Sequence, residues 1–189
     1  MYSLFCKFLS LSFIDYPPYT SCVLFTRGCN WNCRYCYNKE ICYSQDSLSF
    51  EDILTMLAKQ SHLTEAVVVT GGEPTIHDDL PFYLMCFKDM GYKVKLDTNG
   101  SNPELLEECL KYVDFVSMDI KHVPEKYEFI TGVKIDWQVL MKSVKLLKGF
   151  GSYELRCVWT PYHTWWDIVK LKRMFPELKV NPFVKYWKR

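Results

Sequence analysis

Residues 66–87 read AVVVTGGEPTIHDDLPFYLMCF. The opening run, 66–70, is apolar, rich in β-branched residues and followed by two glycines, which reads as a buried strand. Gly71-Gly72-Glu73-Pro74 then breaks the run. Beyond it Leu80, Tyr83, Leu84 and Phe87 recur at helical spacing and present one apolar face. The unit is a strand, a turn and a helix able to lie on the sheet to which the strand belongs.

The same unit recurs along the chain. Strand-like runs fall at 22–27, 66–70, 94–97, 115–120, 153–159 and 179–184, and helical spacing recurs in Phe50, Ile53, Leu54 and Leu57 and in Trp137, Leu140, Met141 and Val144. Ser49 with Asp52, and Thr164 with Asp167, place capping side chains before two helices, and Pro103 suits a first helical turn. Strand and helix alternating six times imply right-handed crossovers and a parallel sheet. A full eight-fold barrel needs about 250 residues, so 189 residues close about three quarters of one. The expectation is an α/β fold, a partial (β/α)6 TIM-like barrel open on one side, with 1–189 forming one domain. In such folds the chemistry gathers at the C-terminal ends of the strands.

Lysine and arginine number 23 against 22 aspartate and glutamate, so no global charge draws the chain to nucleic acid or an anionic membrane. The first 14 residues are apolar but interrupted by Lys7, Ser10 and Ser12, with neither a basic start nor a small-residue cleavage site. No run approaches the roughly 20 apolar residues that span a bilayer. A soluble, cytoplasmic protein is expected. Nine cysteines, an odd number spread over core segments, fit a disulfide framework poorly.

Three of those cysteines, Cys29, Cys33 and Cys36, crowd into the segment GCNWNCRYC at 28–36, at the head of a loop 28–37 that directly follows the first predicted strand. Three thiolates leave one iron of a cubane cluster open, whereas a site built for electron transfer alone normally supplies four. A four-cysteine zinc site that adds Cys42 is the rival reading, although zinc prefers paired C-x2-C knuckles.

With its neighbours this loop resembles the radical S-adenosylmethionine superfamily. Ile14-Asp15-Tyr16-Pro17, the cysteine loop, Gly71-Gly72-Glu73-Pro74, Asp97-Thr98-Asn99-Gly100 and Met118-Asp119-Ile120-Lys121 follow the order found in glycyl-radical-enzyme activating proteins. The likeness covers about 13–156 and is greatest to the activating protein of anaerobic ribonucleoside-triphosphate reductase. It implies one 4Fe-4S cluster on Cys29, Cys33 and Cys36, with S-adenosylmethionine chelating the open iron. It also implies that Gly71, Gly72 and Glu73 hold the cofactor amine and that Tyr35 lies against the adenine. Asp97, Thr98, Asn99, Asp119 and Lys121 would contact the ribose, the carboxylate and, as in some members, a monovalent cation. Arg156 and His163 would sit near the cofactor.

The implied activity is reductive cleavage of S-adenosylmethionine to a 5'-deoxyadenosyl radical, which takes an α-hydrogen from a glycine of a partner enzyme, here anaerobic ribonucleotide reductase. Flavodoxin or ferredoxin would supply the electron. Tyr37 stands where a histidine is common in the family, no ferredoxin-like insertion follows the cysteine loop, and the likeness fades beyond about Trp159. The alternatives are a radical enzyme acting on a small molecule, as deazaguanine-forming synthases do, and a non-catalytic iron–sulfur or zinc module. The tail 185–189 is expected to pack the barrel's end.

Overall fold

The computed structural model describes residues 4–182. Seven strands form one sheet in strict chain order: β1 (Phe5–Ser12), β2 (Ser21–Thr26), β3 (Ala66–Gly71), β4 (Lys93–Thr98), β5 (Phe115–Asp119), β6 (Tyr153–Trp159) and β7 (Lys179–Pro182). From β2 onward every pairing is parallel, and β1 and β7 stay at opposite edges, so the barrel is not closed. The six strands from β2 to β7 are those expected from the apolar runs, each within a residue or two at its ends. Positions 183–184 of the last expected run, and the tail 185–189, lie outside the described residues.

One strand stands outside the six expected. β1 pairs antiparallel with β2. Only its ends are buried, and Leu9 and Leu11 are exposed, so neither face carries the apolar signal of an inner strand.

Between the strands run α1 (Lys39–Cys42), α2 (Phe50–Gln60), α3 (Leu80–Asp89), α4 (Pro103–Cys109), α5 (Pro124–Thr131), α6 (Trp137–Phe150) and α7 (Trp165–Met174). Their starts follow the capping logic. Thr164 and Asp167 exchange hydrogen bonds in a complete capping box, Ser49 accepts from Asp52 N, and Pro103 opens α4 behind Asn102. Helix α6 buries Leu140, Ser143, Val144 and Leu147, whereas Met141, expected on that face, is exposed. Among the described residues no helix is long and apolar enough to cross a membrane.

Alternation along the strands divides two environments. Leu24, Val67, Val69, Leu96, Met118 and Leu155 join Leu57, Leu84, Leu106, Leu147 and Leu171 in the main core. On the other side Tyr16, Val23, Ala66 and Val68 form a smaller apolar cluster. Above that cluster this inner side turns polar, with the buried residues Lys95 and Asp97 on β4. Strands of parallel sheets are usually apolar on both faces, so buried charge here marks a site.

Candidate active site

A cavity of about 400 Å³ opens at the C-terminal ends of the strands. Its wall includes Cys29, Cys33, Tyr35, Cys36, Gly71, Gly72, Glu73, Asp97, Thr98, Asn99, Asp119, Lys121 and Arg156, which is every expected site residue except His163. Asp15, Trp31, Asn38 and Cys42 also line it.

The cysteine loop is held from two sides. Asn32 N donates to Thr131 O at 2.8 Å and Arg34 N to Ile130 O at 2.9 Å, fastening the loop to the end of α5. Trp31 is buried edge-on against Tyr127, and the Arg34 guanidinium lies 4.1 Å from the centre of the Phe129 ring. These side chains anchor the loop and leave its thiols to the cavity. A neighbouring thiol, Cys42, pulls the Cys36 thiol down to about 6 and lowers that of Cys29. Burial pushes Cys33 up to about 11, against the opposing pull of Lys121.

Among the described residues no three histidine, cysteine, aspartate or glutamate side chains converge as a single metal ion would require. Three soft sulfur donors on one loop beside an open cavity suit an iron–sulfur cluster with a free corner.

The glycine turn is dictated by close backbone approach. A Cβ on Gly72 would fall 1.6 Å from Gly28 O, and one on Gly71, whose φ is +126°, would fall 2.4 Å from Thr26 N and O. Gly72 N donates to Thr26 O and Glu73 N to Gly28 O, both at 2.9 Å, so the end of β3 is tied to the root of the cysteine loop. Asn38 Nδ2 donates to Gly71 O at 3.1 Å.

Glu73 is fully buried. Its Oε1 accepts from Thr75 N at 3.0 Å, Thr75 Oγ1 at 2.6 Å and Thr98 Oγ1 at 2.6 Å, and its Oε2 accepts from Asn99 N at 2.6 Å. The carboxylate therefore braces two neighbouring turns, and any free acceptor capacity is confined to Oε2. Asn99 Nδ2 donates on to Asn30 Oδ1 at 2.9 Å, carrying the brace into the cysteine loop.

An alternating ladder of charge crosses the cavity floor. Lys95 Nζ is 3.3 Å from Asp97 Oδ1, Asp97 Oδ2 is 3.1 Å from Arg156 Nη2, Arg156 Nε is 2.6 Å from Asp119 Oδ1, and Asp119 Oδ2 is 2.7 Å from Lys121 Nζ. Strand register produces it, because Asp119 and Arg156 are direct partners in β5 and β6. Burial pushes the Asp119 carboxyl up, but Arg156 and Lys121 outweigh it and hold the group well below the usual range. Asp97 Oδ1 is buried without a hydrogen-bond partner among the described residues; the Lys95 ammonium beside it forms an ion pair only. Lys95 also donates to Asp15 O at 2.5 Å, which brings the Ile14-Asp15-Tyr16-Pro17 segment to the floor.

Tyr35 reaches inward, its hydroxyl donating to Lys121 O at 3.5 Å. His163 lies off the cavity. It is buried and stacked at 4.1 Å on His122, with Nδ1 3.0 Å from Thr160 Oγ1 and Nε2 3.1 Å from Lys121 O. It reaches the site only through the Lys121 backbone. Lys95 and Asn38 are additional. Lys95 was legible from strand period, since it stands two residues before Asp97 on the same face.

Residues 23–175 match the model of the radical SAM superfamily, and the chain belongs to that superfamily. Membership implies a 4Fe-4S cluster and S-adenosylmethionine, and the thiols and cavity described above fit both.

Within it, the chain is 34% identical over 152 residues to a protein of Methanocaldococcus jannaschii described as a putative glycyl-radical enzyme activating enzyme, covering 78% of this chain and 62% of that one. It is 31% identical over 131 residues to the pyruvate formate-lyase-activating enzyme of Clostridium pasteurianum, covering 65% and 55%. The chain thus spans less than two thirds of these relatives. Superfamily members of other activity match as well. Among solved structures, methylornithine synthase shares the fold with a TM-score of 0.66 at 13% identity, over 87% of this chain and 53% of that one.

Proposed function

We propose that this chain is a glycyl-radical-enzyme activating enzyme, and that its partner is an anaerobic ribonucleotide reductase. The observation that carries the reading is a thiol-lined cavity at the mouth of an unclosed barrel, joined with 34% identity to an activating enzyme. An open side admits a loop of another protein, while a small substrate must be sealed in. A low-potential flavodoxin or ferredoxin is the natural electron donor, and nine cysteines suit a reducing cytoplasm.

Cys29, Cys33 and Cys36 hold the cluster in this reading, and when reduced it supplies the electron that splits S-adenosylmethionine into methionine and a 5'-deoxyadenosyl radical. The remaining work is done by placement. Backbone groups of the Gly71–Gly72 turn and the free capacity of Glu73 face the cofactor amine. Arg156 and Lys121 offer cations to its carboxylate, and Asp97 offers Oδ1, ion-paired with Lys95 but accepting no hydrogen bond, to a hydroxyl or a monovalent cation. Tyr35 and Trp31 exclude water beside the thiols, which protects a reactive carbon radical.

The test is electron paramagnetic resonance on anaerobically reconstituted, dithionite-reduced protein, before and after S-adenosylmethionine and then with the reductase. The expected results are a cluster signal reshaped by the cofactor and a glycyl doublet on the reductase. Rapid cofactor cleavage that depends on a small molecule and needs no protein partner would overturn the partner reading. One tightly held zinc in place of iron would overturn the enzyme reading.

A further inference from the structure

Lys95 stands on β4 two residues before Asp97, so the strand period puts both side chains on the inner face of the sheet. Only 5% of Lys95 is exposed. A buried ammonium is unfavourable unless charge and hydrogen bonds meet it. Here Nζ donates to Asp15 O at 2.5 Å, stands 3.3 Å from Asp97 Oδ1 and lies 6.0 Å from the centre of the Tyr16 ring. The segment 14–17 thus has a task of its own: it supplies the carbonyl and the ring that hold this ammonium beside Asp97.

The placement of charge decides what the ladder still lacks. Asp97 has Lys95 beside Oδ1 and Arg156 beside Oδ2, while Asp119 has Arg156 beside Oδ1 and Lys121 beside Oδ2, so all four oxygens of the two acids have a cation within 3.3 Å. Three cations, Lys95, Arg156 and Lys121, against two carboxylates leave the ladder one positive charge in excess. Of the other carboxylates on the cavity, Glu73 is engaged by Thr75, Thr98 and Asn99, and Asp15 accepts from Ser12 Oγ. A metal cation against Asp97 would meet an ammonium and a guanidinium already in place, and like charges repel strongly where water is excluded. The ladder lacks an anion. We propose that Lys95 is the built-in cation of this site, a positioning residue that fixes the Asp97 carboxylate and supplies the positive charge there, so that S-adenosylmethionine binds without a monovalent metal ion. Of a hydroxyl and a metal ion, Oδ1 is thereby left to the hydroxyl. The proposal rests on the reading that Asp97 and its neighbours face S-adenosylmethionine.

The experiment measures the affinity of the reconstituted holoprotein for S-adenosylmethionine by anaerobic calorimetric titration in choline, sodium and potassium chloride at one ionic strength, for wild type and Lys95→Met. Wild type is expected to bind equally in the three salts. Lys95→Met, which keeps an unbranched side chain and removes its charge, is expected to bind about tenfold more weakly in choline, a loss of about 1.4 kcal/mol, and to recover when sodium or potassium takes the vacated position. Wild-type affinity that rises by about tenfold from choline to sodium or potassium overturns the proposal. So does a Lys95→Met protein that binds as wild type does in choline, or one weakened equally in all three salts, which is the mark of a lysine that only supports the fold. Thermal unfolding and iron content report whether Lys95→Met folds and holds its cluster; if it does not, the wild-type salt series decides by itself. Wild type that keeps its cluster but binds no S-adenosylmethionine in any salt removes the underlying reading, whereas salt-dependent binding by wild type removes only this proposal.

Discussion

Glu73 Oε2 accepts the backbone N–H of Asn99 at 2.6 Å, so the turn after β3 is fastened to the turn after β4 inside the protein. With Thr75 and Thr98 on the other oxygen, a single carboxylate orders two of the segments that face the cavity. A buried donor left without its acceptor costs roughly 1–3 kcal/mol. Glu73→Gln, which replaces one acceptor by an NH2 group, should lower unfolding stability by roughly that amount, and Glu73→Ala by more. Urea denaturation measures both; an unchanged midpoint in Glu73→Ala would show that the brace carries no load.

Gly72 tolerates no side chain, because its Cβ would overlap Gly28 O. Gly72→Ala must therefore push the root of the cysteine loop off β3, and the expected outcome is a folded but iron-poor protein after reconstitution. Gly149 is the control: it lies inside α6, and a methyl group added there would meet nothing within 4 Å, so Gly149→Ala should stabilise the chain by about 0.5–1 kcal/mol and leave iron content alone. Equal iron in the two variants would sink the argument.

Arg156 bridges Asp97 and Asp119. Arg156→Leu leaves both carboxylates facing each other without their shared cation, at a cost of up to roughly 3–5 kcal/mol. Arg156→Lys keeps the charge but not the fork that spans both acids, and should fall between. Thermal unfolding at neutral pH ranks the three proteins, and a leucine variant as stable as wild type would contradict the bridge.

Burial, and then the neighbouring His122, push His163 down from 6.5 to about 4, and burial lowers His122 as well. A group whose folded value is depressed contributes stability above its unfolded value and loses it as pH falls. The window here runs from about 6.5 down to about 4, and for His163 the loss is on the order of 3 kcal/mol. The depressed carboxylates Asp119 and Asp114 act in a lower window, below about 4. Stability measured at pH 7 and pH 5 should therefore drop less in His163→Gln than in wild type. Equal drops would move the pH dependence elsewhere.

The strands β2 to β7 were legible because each is an apolar run between turn signals, and α3 because Leu80, Tyr83, Leu84 and Phe87 are all buried, as their spacing requires. β1 was not, since an edge strand with exposed leucines carries neither alternation nor an unbroken apolar run. Met141 shows the limit of spacing within a helix: α6 rotates so that Ser143 and Leu147 are buried in its stead. In the site, motif order located the walls, and what it could not supply were distances across the fold. Cys42 approaches Cys29 only because α1 turns back, and His163 stops behind Lys121 because stacking on His122 holds it there.

The sheet's strict order from β1 to β7 also has a dimension in time. Every strand finds its partner next to it in the chain, so pairing can follow synthesis with little waiting for distant segments. The thiols, the glycine turn and Glu73 exist before the ribosome reaches Asp119 or Arg156. The carbonyls of Ile130 and Thr131, which fasten the cysteine loop on its far side, follow Asp119 and precede Arg156. The order in which the chain is made is thus the order in which the walls of the cavity are raised.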